Sequence, residues 1–242
     1  MRYVGFLFFI MKGRRNMITR NFSMNVSAIG TDDGKNTYEI RRKWSEKGKK
    51  AIVIELYPTI EVENCGMMDV STMHLLNHVN DFGWGELRIM NLYATVVANK
   101  PSVSQLNCNS LAYIEEVLEE KDISTCDIVI AWGNSLSTHQ ETIKAKIDLL
   151  SILDKKGLSA NVKCITVNGV SLKTSFGIHP LYLGLHYSKE KWQLVAFPLK
   201  DTLTELEKCV KHTKVEDKKA KRSGKKETDK AKEKSVSQKG AV

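Results

Sequence analysis

The sequence has none of the short motifs that identify the common cofactor and nucleophile sites. It contains no Walker phosphate loop, no glycine-rich dinucleotide turn, no nucleophile elbow and no His-Glu-x-x-His zinc motif. Its 5 cysteines are widely spaced and include no Cys-x-x-Cys pair. We therefore expect no cofactor, and we expect reduced thiols in a cytoplasmic protein.

Long apolar runs are also scarce. The N-terminal run Tyr3–Met11 has only nine residues, which is too short to cross a bilayer. Most of the nearby basic residues follow this run and no small-residue cleavage site comes after it, so it is unlike a signal peptide. We predict that residues 1–36 form a poorly ordered N-terminal extension. Met17 is an alternative start, and a weak membrane-surface anchor is the alternative role for the run.

Basic charge is concentrated at the two ends of the chain. The formal net charge is +9, but residues 1–20 hold five basic groups and no acid, and residues 214–242 hold eleven basic and five acidic groups. The remaining residues 21–213 therefore carry a net charge of about −2, which excludes the basic footprint of a duplex-binding domain. Residues 214–242 have almost no large apolar side chain, so we predict a disordered Lys-rich tail that offers weak nucleic-acid contact.

Apolar strands alternate with amphipathic helices between these two ends. The predicted core strands are residues 51–56, 86–92, 126–132 and 162–167, and the predicted helices are residues 69–82, 109–121 and 138–153. Weaker patterns predict strands at residues 38–42 and 193–197 and a last helix at 202–212. This alternation predicts a single α/β domain over residues 37–213. Its architecture is a three-layer α/β/α sandwich around a mostly parallel sheet of about four strands.

Polar or aromatic residues follow each of the four core strands. The segments are Tyr57-Pro58-Thr59, Asn91-Leu92-Tyr93, Trp132-Gly133-Asn134 and, after a loop, His179-Pro180-Leu181. The carboxyl ends of parallel strands meet at one edge of a sheet, where such folds bind ligands. The sequence therefore predicts a small-molecule pocket at this edge.

Four motifs in the same order resemble those of an uncharacterised bacterial and phage family, domain of unknown function 1643. They are ELYPT, DFGWGELRIMNLYATVVANKP, DIVIAWGN and HPLYL. The resemblance covers about residues 37–199. It implies an α/β fold with a pocket, in a protein of a phage or mobile element, and it implies no particular activity.

Three segments are more distantly similar to the uracil-DNA glycosylase superfamily. Residues 88–96 are similar to the superfamily's strand that ends in a base-reading asparagine. Residues 130–133 are similar to its third strand, and residues 179–181 are similar to the start of its His-Pro-Ser-Pro loop. This similarity implies a uracil-DNA-glycosylase-like fold in which Asn91 reads the base edge, Tyr57 stacks on the base and His179 stabilises developing negative charge. Further ligand-binding residues expected at this edge are Pro58, Thr59, Tyr93, Trp132, Gly133 and Asn134.

The sequence departs from that superfamily at the water-positioning residue. An acid or amide commonly precedes the first-motif proline there, whereas Tyr57 holds the place here, and a phenol is a poor base at neutral pH. Asp69 or Glu55 would replace the missing group only if the backbone brings it into the pocket. We name His179 and Asp69 as the candidate catalytic residues. Their structural alternatives are a hydrogen-bonded loop histidine and a helix cap.

Several other candidates also have structural alternatives. As an alternative to ligand binding, the Asn91 side chain forms a hydrogen bond with a backbone group at the strand end. The alternative for Tyr57 and Trp132 is packing in the core. His74 and His78 lie four residues apart on a predicted helix and could bind a metal, but the sequence shows no third ligand.

Three functions remain open at this point. The first is a pocket protein that binds a nucleobase, nucleotide or modified nucleic acid and acts as a glycosylase-like hydrolase. The second is a degenerate enzyme or a binding or interaction module without catalysis. The third is a nucleic-acid-associated protein held by its charged tails.

Overall fold

The computed structural model describes residues 19–98, 102–106, 110–174 and 176–210. The alternative start at Met17, the N-terminal apolar run and the disorder of the Lys-rich tail lie outside these residues.

Within the described residues, seven strands form one sheet in the order β1-β2-β4-β3-β5-β6-β7. The four central strands β4, β3, β5 and β6 are parallel, whereas β1, β2 and β7 are antiparallel to their neighbours. The predicted sheet of about four mostly parallel strands is thus corrected to a larger and less parallel one, because three edge strands extend the parallel centre on both sides. The strands are β1 Asn25–Gly30, β2 Thr37–Lys43, β3 Lys49–Glu55, β4 Trp84–Asn91, β5 Asp127–Ile130, β6 Val162–Val167 and β7 Trp192–Ala196.

Strand β1 lies inside the segment predicted to be a poorly ordered extension. It pairs with β2 from Asn25 to Gly30, so the ordered sheet begins earlier than the sequence indicated. Exposed and half-buried residues alternate along β1 because it lies at the edge of the sheet. Most of its residues are small or polar, so apolar and polar residues do not alternate clearly enough to predict a strand.

Helices cover both faces of the sheet. They are α1 Val70–Asn77, α2 Val79–Phe82, α3 Leu111–Val117, α4 Gln140–Lys155, α5 Pro180–Tyr187 and a helical segment at residues 199–210. Buried residues of α1, α2 and α5 pack on one face, and those of α3, α4 and residues 199–210 pack on the other. Within the described ranges, no helix has the length and apolar content needed to cross a membrane.

The central strands are buried on both faces, and their residues alternate between the two helical layers. On β3, Ile52 and Ile54 pack in the α3/α4 layer, and Ala51 and Val53 pack in the α1/α5 layer. Because successive strand residues point to opposite faces, Glu55 at the end of β3 faces the α1/α5 layer. This alternation places a carboxyl group beneath α1 and α5 at the edge where the pocket is predicted.

Candidate ligand-binding site

The ends of the parallel strands are aligned in one row. Glu55 of β3 pairs in register with Asn91 of β4, and Ile54 of β3 pairs with Ile130 of β5. The Leu92 N–H donates to the Glu55 carbonyl oxygen at 3.0 Å, and the Ala131 N–H donates to the Ile54 carbonyl oxygen at 2.9 Å. Residues that follow these strands therefore emerge at a common edge, as the sequence predicted.

A cavity of about 320 Å³ opens at this edge, between the turn after β5 and the segment that leads into α5. The turn contributes Gly133 and Asn134, both predicted as ligand-binding residues, and the start of α5 contributes His179. The remaining lining residues are Leu172, Lys173, Phe176, Gly177, Ile178 and Tyr182. The structure therefore brings three of the predicted site residues to one cavity.

Gly133 lets the turn approach His179 closely. Its φ is +63°, and a Cβ placed on it would lie 3.1 Å from the His179 Cβ. Gly177 on the facing segment has φ +67°, and a Cβ there would lie 2.4 Å from the Ile130 carbonyl oxygen. Side chains at either position would push the two walls of the cavity apart.

His179 caps α5 and has a defined tautomer. Its Nδ1 accepts a hydrogen bond from the Leu181 N–H at 3.2 Å, which leaves the ring proton of the neutral form on Nε2. Burial lowers the pKa of His179, and the negative charge of Asp69 opposes that shift. The imidazole is therefore neutral near pH 7, and its Nε2–H is able to donate a hydrogen bond. The hydrogen-bonded structural alternative for His179 is confirmed, and its catalytic role stays a prediction.

Asp69 caps α1 and lies close enough to His179 and Glu55 to influence the pKa of each. Its Oδ1 accepts from the Thr72 N–H at 2.7 Å, so the predicted helix cap is confirmed. Its Oδ2 accepts from the Thr59 hydroxyl at 2.6 Å. Thr59, predicted to bind ligand, thus holds the carboxylate whose negative charge influences the pKa of His179.

Glu55 and Asn91 are buried polar residues below this cluster. Glu55 Oε1 and Asn91 Oδ1 have no hydrogen-bond partner within the described part of the chain. Leaving such an atom unpaired costs about 1–3 kcal/mol, so two of them at the ends of adjacent strands need an explanation. Burial, together with the negative charge of Asp69, raises the pKa of Glu55 to about 8. From the sequence, Glu55 has only a conditional role, because the sequence does not show whether the backbone brings it into the pocket.

Four other predicted ligand-binding residues lie away from the cavity walls. Tyr93 is buried in the α3/α4 layer, and its hydroxyl is 2.7 Å from Thr142 Oγ1. Trp132 is in the same layer, where the Lys146 ammonium lies 5.3 Å from its ring centre. The packing favours the core alternative for Trp132, and it gives Tyr93 a core position too.

Tyr57 and Pro58 belong to the same connection after β3. Tyr57 is half-buried against the α3/α4 layer, and burial raises the pKa of its phenol further above neutrality. Pro58 is buried, and its carbonyl oxygen accepts from the Val97 N–H at 2.9 Å. Their contact with a ligand stays a prediction.

The two histidines of the possible metal site point to different neighbours. The His78 ring stacks on Trp192 at 3.9 Å, and its Nδ1 is 2.9 Å from Asp81 Oδ2. A Cβ on Gly184 would lie 2.0 Å from the His74 ring, so that ring packs directly against α5. Among the described residues, no three His, Cys, Asp or Glu side chains are grouped as metal ligands would be.

Six lining residues were missed from the sequence, namely Leu172, Lys173, Phe176, Gly177, Ile178 and Tyr182. The sequence predicts a connecting loop over residues 168–178 and no helix at α5. Pro180 at the first helical position after His179 was the local signal for this helix. Which of these side chains face the turn at Gly133 depends on long-range packing, so no local pattern marks them.

A second cavity of about 550 Å³ lies on the other face of the sheet, between β1, β2, β4 and α3. Its main charged groups already pair with one another. Arg88 donates to both carboxylate oxygens of Glu39 at 2.8 and 2.7 Å and to Glu120 at 2.7 Å. The Tyr113 hydroxyl also donates to Glu39 at 2.7 Å. We therefore place the candidate site in the smaller cavity, where polar groups remain available.

The fold and this cavity define an α/β protein with a crevice at the carboxyl ends of its parallel strands. Residues 37–181 match the family described as "Protein of unknown function (DUF1643)", and the chain belongs to that family. No curated protein and no solved structure matches the chain. The family expected from the sequence is thus confirmed, whereas the similarity to uracil-DNA glycosylases is not.

Proposed function

We propose that this protein binds a nucleobase or nucleotide in the crevice between the turn at Gly133 and the start of α5. The observation that carries the proposal is the cavity of about 320 Å³, which combines aromatic, amide and neutral imidazole groups. Its volume lies at the lower end of the range of about 300–1,000 Å³ for small-molecule sites. A small planar ligand suits that volume.

Each group in the crevice matches one part of such a ligand. Phe176 and the exposed Tyr182 offer ring faces on which a base would stack. Asn134 offers a donor and an acceptor for a base edge, and His179 adds an Nε2–H donor. Lys173, whose ammonium lies 5.4 Å from the Phe176 ring centre, supplies positive charge for a phosphate.

Calorimetric titration with the five common bases and their 5′-monophosphates tests this proposal. We expect at least one member of the panel to bind the wild-type chain, and we expect weaker binding by Asn134→Ala and His179→Ala. Glu207→Gln, an exposed change on the helical segment 199–210, is the control and should bind as the wild type does. The proposal fails if nothing in the panel binds or if both crevice variants bind unchanged.

Hydrolysis of a nucleoside bond, as in a glycosylase-like enzyme, is a second candidate. It is supported by the neutral imidazole of His179 at the start of α5, whose pKa is influenced by the negative charge of Asp69. Water would add to the sugar carbon as the carbon–nitrogen bond breaks, and the base would leave with the proton. His179 Nε2–H would stabilise the negative charge that builds on the departing base. Release of free base from a uracil-containing oligonucleotide, lost in His179→Ala, is the expected result.

Binding without turnover is the alternative to hydrolysis. It is favoured by the two hydrogen bonds of Asp69, which engage one oxygen with Thr72 and the other with Thr59. A carboxylate so occupied is poorly placed to activate water, and the Tyr57 phenol does not replace it. Ligand binding with no base release would support this alternative, and turnover that depends on His179 would exclude it.

A further inference from the structure

The helices α1 and α5 lie on the surface but carry no acidic residue, lysine or arginine. α1 has the sequence VSTMHLLN and α5 has the sequence PLYLGLHY. On the opposite face of the sheet, by contrast, α4 exposes Glu141, Lys144 and Asp154. A helix that covers a sheet normally turns charged residues toward water. The outer surface of the α1/α5 layer is therefore unlike one that stays in contact with solvent.

Exposed apolar side chains take the place of charged ones on this surface. They form the α1/α5 patch, in which each residue is between 37% and 68% exposed, and they are Met67, Met68, Val70, Met73, Leu181, Tyr182 and Leu185. Because these side chains are on average about half exposed, they present roughly 600 Å² of apolar surface. The largest apolar patch on a typical monomer measures about 300–600 Å² and is often functional. The α1/α5 patch is at the upper end of that range.

Close contact between the two helices makes the patch continuous. The His74 ring of α1 packs directly against Gly184 of α5. Their chain neighbours Met73 and Leu185 are both exposed and both belong to the patch. On α5, Leu181 lies one turn before Leu185 and therefore on the same side of the helix. The apolar residues of the two helices thus form one surface.

The segment that leads into α1 is held in place by hydrogen bonds. Arg42, which is buried, donates to the Met67 carbonyl oxygen at 2.6 Å. Asp69 is the acidic residue of this segment, and its two oxygens accept from the Thr72 N–H and the Thr59 hydroxyl. The methionines before α1 are therefore fixed at the surface, next to a carboxylate that already has partners.

We propose that the α1/α5 patch is the interface between two copies of this chain. A standard protein interface buries about 800 Å² on each partner and consists of an apolar core with a polar rim. A patch of roughly 600 Å² has the size of such a core. The absence of charge favours a second copy in particular, because a two-fold interface brings the same surface of both chains together and like charges there would repel.

The second copy also covers one side of the crevice. Tyr182 belongs to the α1/α5 patch and lines the cavity. Association of the two patches therefore places the partner next to the α5 wall of the crevice. This inference goes beyond the proposed function, and the interface does not depend on whether the crevice binds a nucleobase.

The alternative occupant of the patch is the apolar run at residues 3–11 of the same chain, which lies outside the described residues. Lys12, Arg14 and Arg15 directly follow this run. Neither α1 nor α5 holds a carboxylate that could pair with them. Charge complementarity therefore does not support this occupant, whereas two uncharged patches suit each other.

Sedimentation velocity of the full chain over a series of concentrations tests the interface. We expect a reversible dimer. Leu185→Glu and Met73→Glu each place a charge on an exposed patch residue of one helix. Each should raise the dimer dissociation constant at least about tenfold, because the interface would bury unpaired charges. Val103→Glu is the matched control, since it charges an exposed apolar residue on the connection between β4 and α3 and should dimerise as the wild type does.

Methyl NMR of the methionines gives a second measurement that needs no substitution. The signals of Met67, Met68 and Met73 should shift as the protein concentration rises and the dimer forms. Met90 is fully buried in the core, so its signal should stay in place. Patch signals that do not move over a range in which the chain dimerises would overturn the proposal.

The other outcomes also decide. A wild-type chain that stays monomeric throughout the series overturns the proposal, as does a dimer that both patch variants keep or that Val103→Glu loses equally. If dimers form only after removal of residues 1–16, the apolar run occupies the patch and the proposal is wrong. If a patch variant is unfolded, the other variant and the methionine signals still decide. Nucleobase binding is measured separately by titration, so failure here leaves the proposed function standing.

Discussion

The turn at Gly133 touches His179 so closely that a single added carbon at Gly133 would lie 3.1 Å from the His179 Cβ. The turn after β5 and the start of α5, which form the two walls of the crevice, thus meet at this contact, and the contact depends on a residue without a side chain.

Gly133→Ala is expected to destabilise the fold and to displace His179. An alanine at φ +63° costs about 1–2 kcal/mol in backbone conformation, and the contact with His179 adds to that cost. Gly157→Ala is a matched control, because Gly157 has φ +71° and no atom within 4 Å of the added carbon. Denaturant unfolding should show a larger loss for Gly133→Ala. Equal losses in the two variants would show that the His179 contact carries no energy.

Glu55→Gln is expected to flatten part of the pH dependence of stability. The folded-state pKa of Glu55 is about 8, above the ordinary value of 4.5, so the folded protein binds more protons than the unfolded chain between these values. The contribution of Glu55 to stability is fully present below pH 4.5 and is lost as the pH rises through about 8. The slope is about 1.4 kcal/mol per pH unit. Unfolding curves at pH 5, 6.5 and 8 should therefore show wild type falling relative to Glu55→Gln, and parallel curves would refute the shift.

Lys146→Met is expected to stabilise the protein at neutral pH. Burial lowers the pKa of Lys146 to about 8, so its contribution is fully present above the ordinary value of 10.5 and is lost as the pH falls through about 8. Methionine removes the cost of burying the ammonium but also loses the contact with the Trp132 ring, worth about 1–2 kcal/mol. We expect a net gain of about 1–3 kcal/mol at pH 7 that shrinks by pH 10. A loss of stability at pH 7 would mean that the cation has an essential partner.

Asp69→Asn is expected to lower the pKa of both His179 and Glu55. The negative charge of Asp69 raises each of these pKa values, and asparagine removes the charge while keeping an equally good helix cap. NMR titration of the His179 ring and the Glu55 carboxyl would measure both shifts. Thr59→Val is the control, since it removes one hydrogen bond to Asp69 and keeps the charge. Unchanged pKa values in Asp69→Asn would place the carboxylate outside the cluster.

Deletion of residues 214–242 tests the expected role of the Lys-rich segment, which lies outside the described residues. If this segment holds nucleic acid through its eleven basic groups, retention of DNA should fall on deletion. Retention by the full chain should also decline steeply between 50 and 200 mM salt. Retention that is the same with and without the segment would remove nucleic-acid tethering as a function.

The central strands, and the edge of the sheet at which the cavity opens, were readable from the sequence. Apolar runs predicted β3, β4, β5 and β6 closely, because strands buried on both faces need continuous apolar residues. The weakly patterned strand β1 was missed, since an edge strand packs on one side only. The predicted helix over residues 69–82 is divided at His78 into α1 and α2.

The amino-acid sequence by itself determined the family, the parallel centre of the sheet and the edge where polar groups gather. These properties follow from local apolar patterns and from the rule that parallel strands end together. Only the tertiary structure decided which of those groups share a cavity: it placed Asn134 and His179 there and packed Trp132 into the core. It also decided that Glu55 is a neutral acid beside Asn91. Burial and the distance to Asp69 set that protonation state, and both arise from contacts between segments far apart in the chain.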